Sequence, residues 1–537
     1  MTLDLTGKKI LVVDDFPEMR SMMRKMAVAF RAQEIDDARN GEDALKLMER
    51  NKYDIVLCDY NLGPGKDGQN VLEEAKHKSL INHSTVFMLI TAENTLRMVM
   101  GAMEYVPDGY LTKPFTKGEF STRLEKIQQK KANLKEIEKA MQRNDYAAAV
   151  LACDEKLAEN PPNIMELLKI KADMYEKMGD YEAAATVYNK VLDSREIAWA
   201  SLGVARIHLH QKNYDDAKET LQRLIYENAQ YIEAYDLLAK VYEASDDLEE
   251  AQNILKKALE ISPKAILRLK TLGQIAYKNS DLEVAESSFK NAVRLGKHSC
   301  FKEASDYTGL AKVYLDKKSP VEALKLVGEI REMFEDNNHA AFQAAVMESM
   351  VHKQTGNSEL ANQAITKANE LFAAIPENLP LDTVMDLAKT CLALGNAEAG
   401  AKYAKYIVQN HHEDEAVIKQ TQALFNEFNM GDTGNDLINA ARQEVIDVNN
   451  QGVRLAKEGK FEESIEFFEK AAGGMPENKT VNLNAAQSLI LFMQKSGKKE
   501  RLLRQTMKYL ERAKKIDPFD EKYLKLMTFY TKLSTGK

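Results

Sequence analysis

Lys9-Ile10-Leu11-Val12-Val13-Asp14-Asp15 is an apolar, β-branched run that stops abruptly on two carboxylates. An unbroken apolar run of this length reads as a strand buried on both faces, as in the interior of a parallel sheet. The same texture returns three times. Asp54-Ile55-Val56-Leu57-Cys58 is followed by Asp59, Thr85-Val86-Phe87-Met88-Leu89-Ile90 by Thr91, and Gly109-Tyr110-Leu111-Thr112 by Lys113-Pro114. A weaker run lies near Gln33-Glu34-Ile35, and amphipathic, helix-length stretches fill the gaps at 18–30, 41–50, 69–77, 95–103 and 117–129. Strands that alternate with helices predict an α/β domain over residues 1–130, with right-handed crossovers and a ligand site at the carboxyl ends of the strands.

Beyond residue 130 the strand signals stop and a period near 34 residues replaces them. Ala205, Ala239 and Gly273 stand 34 residues apart, and Ala172 precedes Ala205 by 33. Each sits in a first helix, before a turn such as Gly179-Asp180-Tyr181 or Asp247-Leu248 and a second helix carrying Ala184 or Ala251. This resembles the tetratricopeptide repeat, in which small residues let paired helices approach and aromatic residues fill the gaps. Looser copies start near Leu310-Ala311, Leu387-Ala388 and Gly452; about ten units are expected, stacked as an all-α solenoid. The divisions read from the sequence are 1–130, a first repeat block at 131–413, an irregular helical break at 414–444 with a loop over Asn429–Asn435, and a second block at 445–537. The segment 128–141 lacks Pro and Gly, so the last helix of the first domain is expected to run on into the array.

The 537 residues are 44% apolar and 29% charged, with a formal charge of −8. That balance offers no basic footprint for nucleic acid or an anionic membrane. No apolar run approaches the roughly 18 residues of a membrane span, and the first residues do not read as a secretion signal. Cys58, Cys153, Cys300 and Cys391 form no CxxC pair, which suits a reducing compartment; the expectation is a cytoplasmic protein.

Asp14, Asp15, Asp59, Thr91 and Lys113 all follow predicted strands, so the topology gathers them at one sheet edge. Taken singly, each has a plainer reading: Asp14-Asp15 and Thr91 as helix caps, Asp59 as a loop carboxylate, Lys113-Pro114 as a turn. Crowded carboxylates repel unless a cation intervenes, and an oxygen-only ligand set suits Mg²⁺. With Asn40-Gly41-Glu42-Asp43-Ala44-Leu45, Asp59-Tyr60-Asn61-Leu62, Asp67-Gly68 and Tyr110-Leu111-Thr112-Lys113-Pro114-Phe115, the first domain resembles the CheY-like receiver family, a flavodoxin-like (βα)5 fold.

The resemblance implies a bacterial two-component response regulator. Asp14, Asp15, Asp59 and the main-chain carbonyl of Asn61 would hold Mg²⁺. Asp59 would accept a phosphoryl group from a histidine kinase or phosphotransfer protein, with Thr91 and Lys113 neutralising it. Tyr110 and Thr91 would switch, remodelling the surface over 95–129, which is also the face through which receivers form homodimers. Asn61 and Glu93 would flank the path of the hydrolysing water. The expected output is binding of a protein partner by the array under control of Asp59, with no enzymatic activity. The alternatives are a phosphate sink or a constitutive repeat scaffold. A transcriptional regulator is less well supported, because no basic helix-turn-helix follows residue 130.

Overall fold

The computed structural model describes residues 3–82, 84–92, 106–161, 163–375, 377–518 and 520–535. The helix expected at 95–103, and Glu93, lie outside them. The parallel sheet consists of β1 (Lys9–Val13), β2 (Glu34–Ala38), β3 (Ile55–Asp59), β4 (Val86–Thr91) and β5 (Gly109–Thr112), in the order β2-β1-β3-β4-β5. The direction of winding reverses between β1 and β3, which opens a crevice at their carboxyl ends.

Strand alternation explains why both faces of the sheet are apolar. Ile10, Val12, Ile55, Leu57, Met88 and Ile90 pack against Met23 of α1 (Pro17–Val28) and against Phe120 and Leu124 of α4 (Lys117–Gln142). Leu11, Val13, Val56, Cys58, Phe87 and Leu89 face the other way, onto Leu45 of α2 (Gly41–Arg50) and Val71 and Leu72 of α3 (Gly68–His77). Side chains fix the helix starts: Asn40 caps α2, and Asp67 with Asn70 and Thr116 with Glu119 form capping boxes on α3 and α4.

Helix α4 is 26 residues long, about 39 Å at 1.5 Å per residue. Its first half is buried in the sheet domain, while Leu134 and Ile137 pack with Ala149, Cys153 and Leu167 of the first repeat. The run-on helix expected from the composition of 128–141 is therefore present.

Helix pairs follow from Tyr146–Ala158 to Glu521–Thr535. A left-handed residue closes the first helix of successive pairs at Gly179, Lys212, Asp246 and Ser280. Asp180, Asp247 and Asp281 then cap the second helices by accepting from Ala183, Glu250 and Val284 amides. The small residues of the repeat are contact points. A Cβ on Gly203, Gly273 or Gly452 would fall within 3 Å of the ring of Tyr188, Phe289 or Phe468.

The loop expected over Asn429–Asn435 is a correction. Only the turn at Phe428–Met430 is non-helical, Asn429 taking the left-handed conformation, and Gly431–Lys457 is one helix of 27 residues. The break over 414–444 is thus two ordered helices, Glu415–Glu427 and the start of Gly431–Lys457. Gly434 is there because a Cβ would lie 2.5 Å from that of Phe425, so it packs a helix pair and interrupts nothing. Compactness divides the chain elsewhere, into Met1–Asp306 and Tyr307–Lys537.

Among the described residues no helix is long and apolar enough to cross a membrane. The four cysteines are free thiols; Cys58, Cys153 and Cys391 are buried.

Candidate functional site: an acidic cluster at the sheet edge

Asp14 and Asp15 follow β1 and Asp59 ends β3, on either side of the crevice. Their carboxylates offer oxygens within 4.8 Å of one another. Lys113, one residue past β5, reaches across with its ammonium 2.8 Å from Asp14 and 3.0 Å from Asp59. The Lys113-Pro114 peptide is cis. Thr91 ends β4, is buried, and accepts the Lys113 amide at 2.6 Å through its carbonyl. Four of the predicted residues thus meet in space with Thr91 at their border, and every one comes from the carboxyl end of a strand.

Burial and charge oppose each other here. Burial pushes the Asp59 carboxyl up to about 6, and Asp14 adds to the rise, while Lys113 pulls it down without cancelling the effect. Burial alone would lower the Lys113 ammonium, but its bonds to Asp14 and Asp59 outweigh that and raise it. Asp14 is held from behind: it accepts the Phe16 amide at 2.9 Å, and Arg20 donates to the carbonyls of Asp14 and Asp15 at 2.6 and 3.2 Å.

Asp15 is the member left over. Its Oδ1 is buried and has no hydrogen-bond partner among the described residues. A carboxylate oxygen in that state is costly unless a cation completes it. Three oxygen donors with one orphan atom fit a hard divalent ion that keeps part of its water shell.

Asn61 is exposed, and its side chain accepts from the Gly63 amide at 3.4 Å. Tyr110 is half-buried in β5, beside Leu89.

Residues 10–125 match the response regulator receiver domain model. Over 119 residues the chain is 32% identical to chemotaxis protein CheY-3 of Vibrio cholerae serotype O1, spanning 22% of this chain and 90% of that protein. The chain belongs to the response regulator receiver family. Chemotaxis protein CheY of Pseudomonas aeruginosa is 30% identical over 119 residues, covering 22% of this chain and 94% of that one. The crystal structure of Vibrio cholerae CheY4 at low pH aligns with a TM-score of 0.21 at 22% identity, over 22% of this chain and 98% of that one. Behind the receiver, tetratricopeptide repeat models match residues 134–198, 175–241 and 232–264. The C-terminal part of a repeat protein from Cytophaga hutchinsonii aligns with a TM-score of 0.37 at 14% identity, over 44% of this chain and 95% of that one.

Two residues of the receiver site escaped the sequence reading. Arg20 was read only as part of a helix; its signal is an arginine one turn into α1, within reach of the acidic turn before it. Gly68 was noted only within Asp67-Gly68. A Cβ there would lie 2.1 Å from the Asp59 carbonyl oxygen, and the Gly68 amide donates to the Tyr60 carbonyl at 2.8 Å. Backbone cannot yield as a side chain does. Gly68→Ala is therefore expected to cost about 2 kcal/mol or more in chemical denaturation, and to slow phosphoryl uptake from acetyl phosphate by displacing Asp59. Parent-like uptake would show that the Asp59 backbone has slack.

Proposed function

We propose that the chain is a phosphorelay response regulator of the bacterial cytoplasm, and that its output is protein binding by the repeat array under control of Asp59. The observation that carries this reading is the Asp14–Asp15–Asp59 cluster, Asp14 and Asp59 buried and Asp15 half-buried, with Lys113 inserted between Asp14 and Asp59. The donor is a histidine kinase or phosphotransfer protein. An Asp59 oxygen attacks phosphorus while the phosphorus–nitrogen bond of the donor phosphohistidine breaks. The bonding pair leaves with the imidazole, and Asp59 becomes an acyl phosphate. Mg²⁺, held by Asp14, Asp15, Asp59 and the Asn61 carbonyl, would supply neutralisation of the phosphoryl oxygens. Lys113 already stands beside the acceptor and stays to pair with the new anion, and the Thr91 hydroxyl donates to it. Arg20 keeps the Asp14–Asp15 turn in place. No output chemistry is assigned to the array: stacked helix pairs offer an extended surface for a protein partner.

The test is direct. Full-length protein with Mg²⁺ and acetyl phosphate is expected to gain one phosphoryl group, located by borohydride trapping and mass spectrometry at Asp59, and to lose it in Asp59→Ala. Crosslinked partners are expected to differ between the two states. An unlabelled Asp59 would end the reading. Label with unchanged partners would leave a phosphate sink.

A further inference from the structure

Helix α3 is buried on two sides. Val71 and Leu72 face the sheet, as expected, but Gln69, Glu73 and Glu74 on the remaining surface are buried too. What covers part of that surface is the connection 297–303 of the array, which joins helix Leu282–Gly296 to the next. Glu73 is 2% exposed. Its Oε1 accepts from the Ser299 hydroxyl, from the Cys300 amide at 3.0 Å and from the Cys300 thiol at 3.3 Å. Burial, then the Glu73 charge, pushes that thiol up to about 12, so it stays protonated and able to donate. His77 meets the Phe301 ring edge-on at 5.9 Å.

The contact is continuous with the acceptor site. The loop 60–67 leaves β3 directly after Asp59 and ends at Asp67, the cap of α3. Inside it, Lys66 donates to the His298 carbonyl at 2.6 Å and pairs with Glu74 at 2.7 Å. At the entry, Lys264 of the array lies 6.0 Å from the Tyr60 ring centre. A Cβ on Gly63 would be 3.7 Å from the Asp15 carboxylate, so the loop also borders the acidic cluster. Gly63 and Gly65 both adopt left-handed conformations that glycine takes without strain, and the Lys66 amide donates to Glu42 at 3.1 Å, so the loop ties the acidic cluster to α2 as well as to the array.

On the array side the connection is pinned. Lys270, itself buried, donates to the Phe301 carbonyl and pairs with Glu303 and Asp306, each at 3.1 Å. The receiver side is less well satisfied. Glu73 Oε2 is buried and has no partner among the described residues, so desolvation of this carboxylate is only half compensated. A contact anchored on one side and under-satisfied on the other is easily tipped.

We infer that the α3 face of the receiver is an intramolecular binding surface whose partner is the 297–303 connection, and that phosphorylation of Asp59 releases it through the loop 60–67. The inference rests on the proposed role of Asp59 and gives it a route: the signal leaves by β3 and α3. The surface freed on the array, around Lys264 and Ser299–Phe301, becomes available only in the phosphorylated state.

Hydrogen exchange of the full-length chain tests this, with Asp59 labelling by acetyl phosphate and Mg²⁺ checked in the same samples. In labelled protein, amide exchange in 68–77 and 297–303 is expected to speed up roughly tenfold, a typical allosteric coupling, while exchange in helix Leu282–Gly296 holds. Ser299→Ala, which removes one donor to Glu73, is expected to give the fast pattern without phosphate and to leave labelling intact. Labelled protein with unchanged exchange in both segments would overturn the inference while leaving the acceptor role standing. So would a Ser299→Ala chain that exchanges like its parent. Failure to label would overturn both.

Discussion

In metal-free buffer at neutral pH, the Asp59→Asn protein is expected to be more stable than its parent, although it takes up no phosphoryl group. The folded Asp59 carboxyl titrates at about 6, against 3.8 for an unperturbed aspartate. The folded state therefore holds that proton more tightly than the unfolded chain, so the protonated form favours folding. As pH rises from about 4 to about 6 the folded protein must give up this advantage, and its stability falls before levelling off. A two-unit displacement corresponds to as much as about 3 kcal/mol by linkage, an upper figure for a group this close to Asp14 and Lys113. Asparagine removes the charge and with it the slope. Exchange of the amides in the β1–β3 ladder, followed with pH in the presence of chelator, measures the difference. Equal stabilities and equal slopes in the two proteins would mean that the cluster is not crowded. Mg²⁺ is expected to narrow the gap by binding the parent better, stabilising it by mass action. The acceptor site thus gives up stability for reactivity.

The second large effect lies in the array. Gly203→Val is expected to cost about 3 kcal/mol, at the upper end for overpacking. The ideal Cβ at this position is only 2.3–2.6 Å from three ring atoms of Tyr188. The ring has no room to retreat. Tyr188 is fully buried, donates to Glu176 at 2.6 Å, and accepts from Arg206 at 3.2 Å. Its ring also meets Trp199, the single tryptophan, edge-on at 5.9 Å. Tryptophan fluorescence therefore reads this junction directly. Thermal melts should show the tryptophan transition moving down by several degrees; an unmoved transition would mean that the small residues of the repeat are not close-approach points.

The receiver was legible because its signals are local. Each buried strand is a short apolar run, and each functional side chain comes directly after one, so the position of Asp59 or Lys113 in the sequence is also its position at the sheet edge. Repeats were legible where the small residue and the turn both kept register. The helix pair Asn338–Gln354 and Ser358–Ala374 escaped notice, although Ala345 follows Ala311 by 34 residues. Gly431 and Gly434 misled for a physical reason. Glycine marks a turn when its backbone is left-handed and a close helix approach when its Cβ is in the way, and composition does not separate the two. Only Asn429, with φ of 57°, is the true turn residue there. The contact between Glu73 and Ser299 had no local signature, since 226 residues separate the partners.

Helix α4 belongs to two cores at once, and that imposes a phase condition on evolution. One residue inserted between Ile127 and Leu134 would turn everything downstream by about 100° about the helix axis and advance it by about 1.5 Å. Leu134 and Ile137 would turn together with the repeat they fill, but the repeats would swing away from the α3 face, and Ser299 could no longer reach Glu73. Seven inserted residues, nearly two full turns, would restore the heading to within about 20°. Receivers and arrays joined in this way cannot be exchanged as freely as beads on a flexible string; because seven residues also advance the array by about 10.5 Å, relatives that keep the Glu73–Ser299 contact are expected to hold the length of this helix fixed.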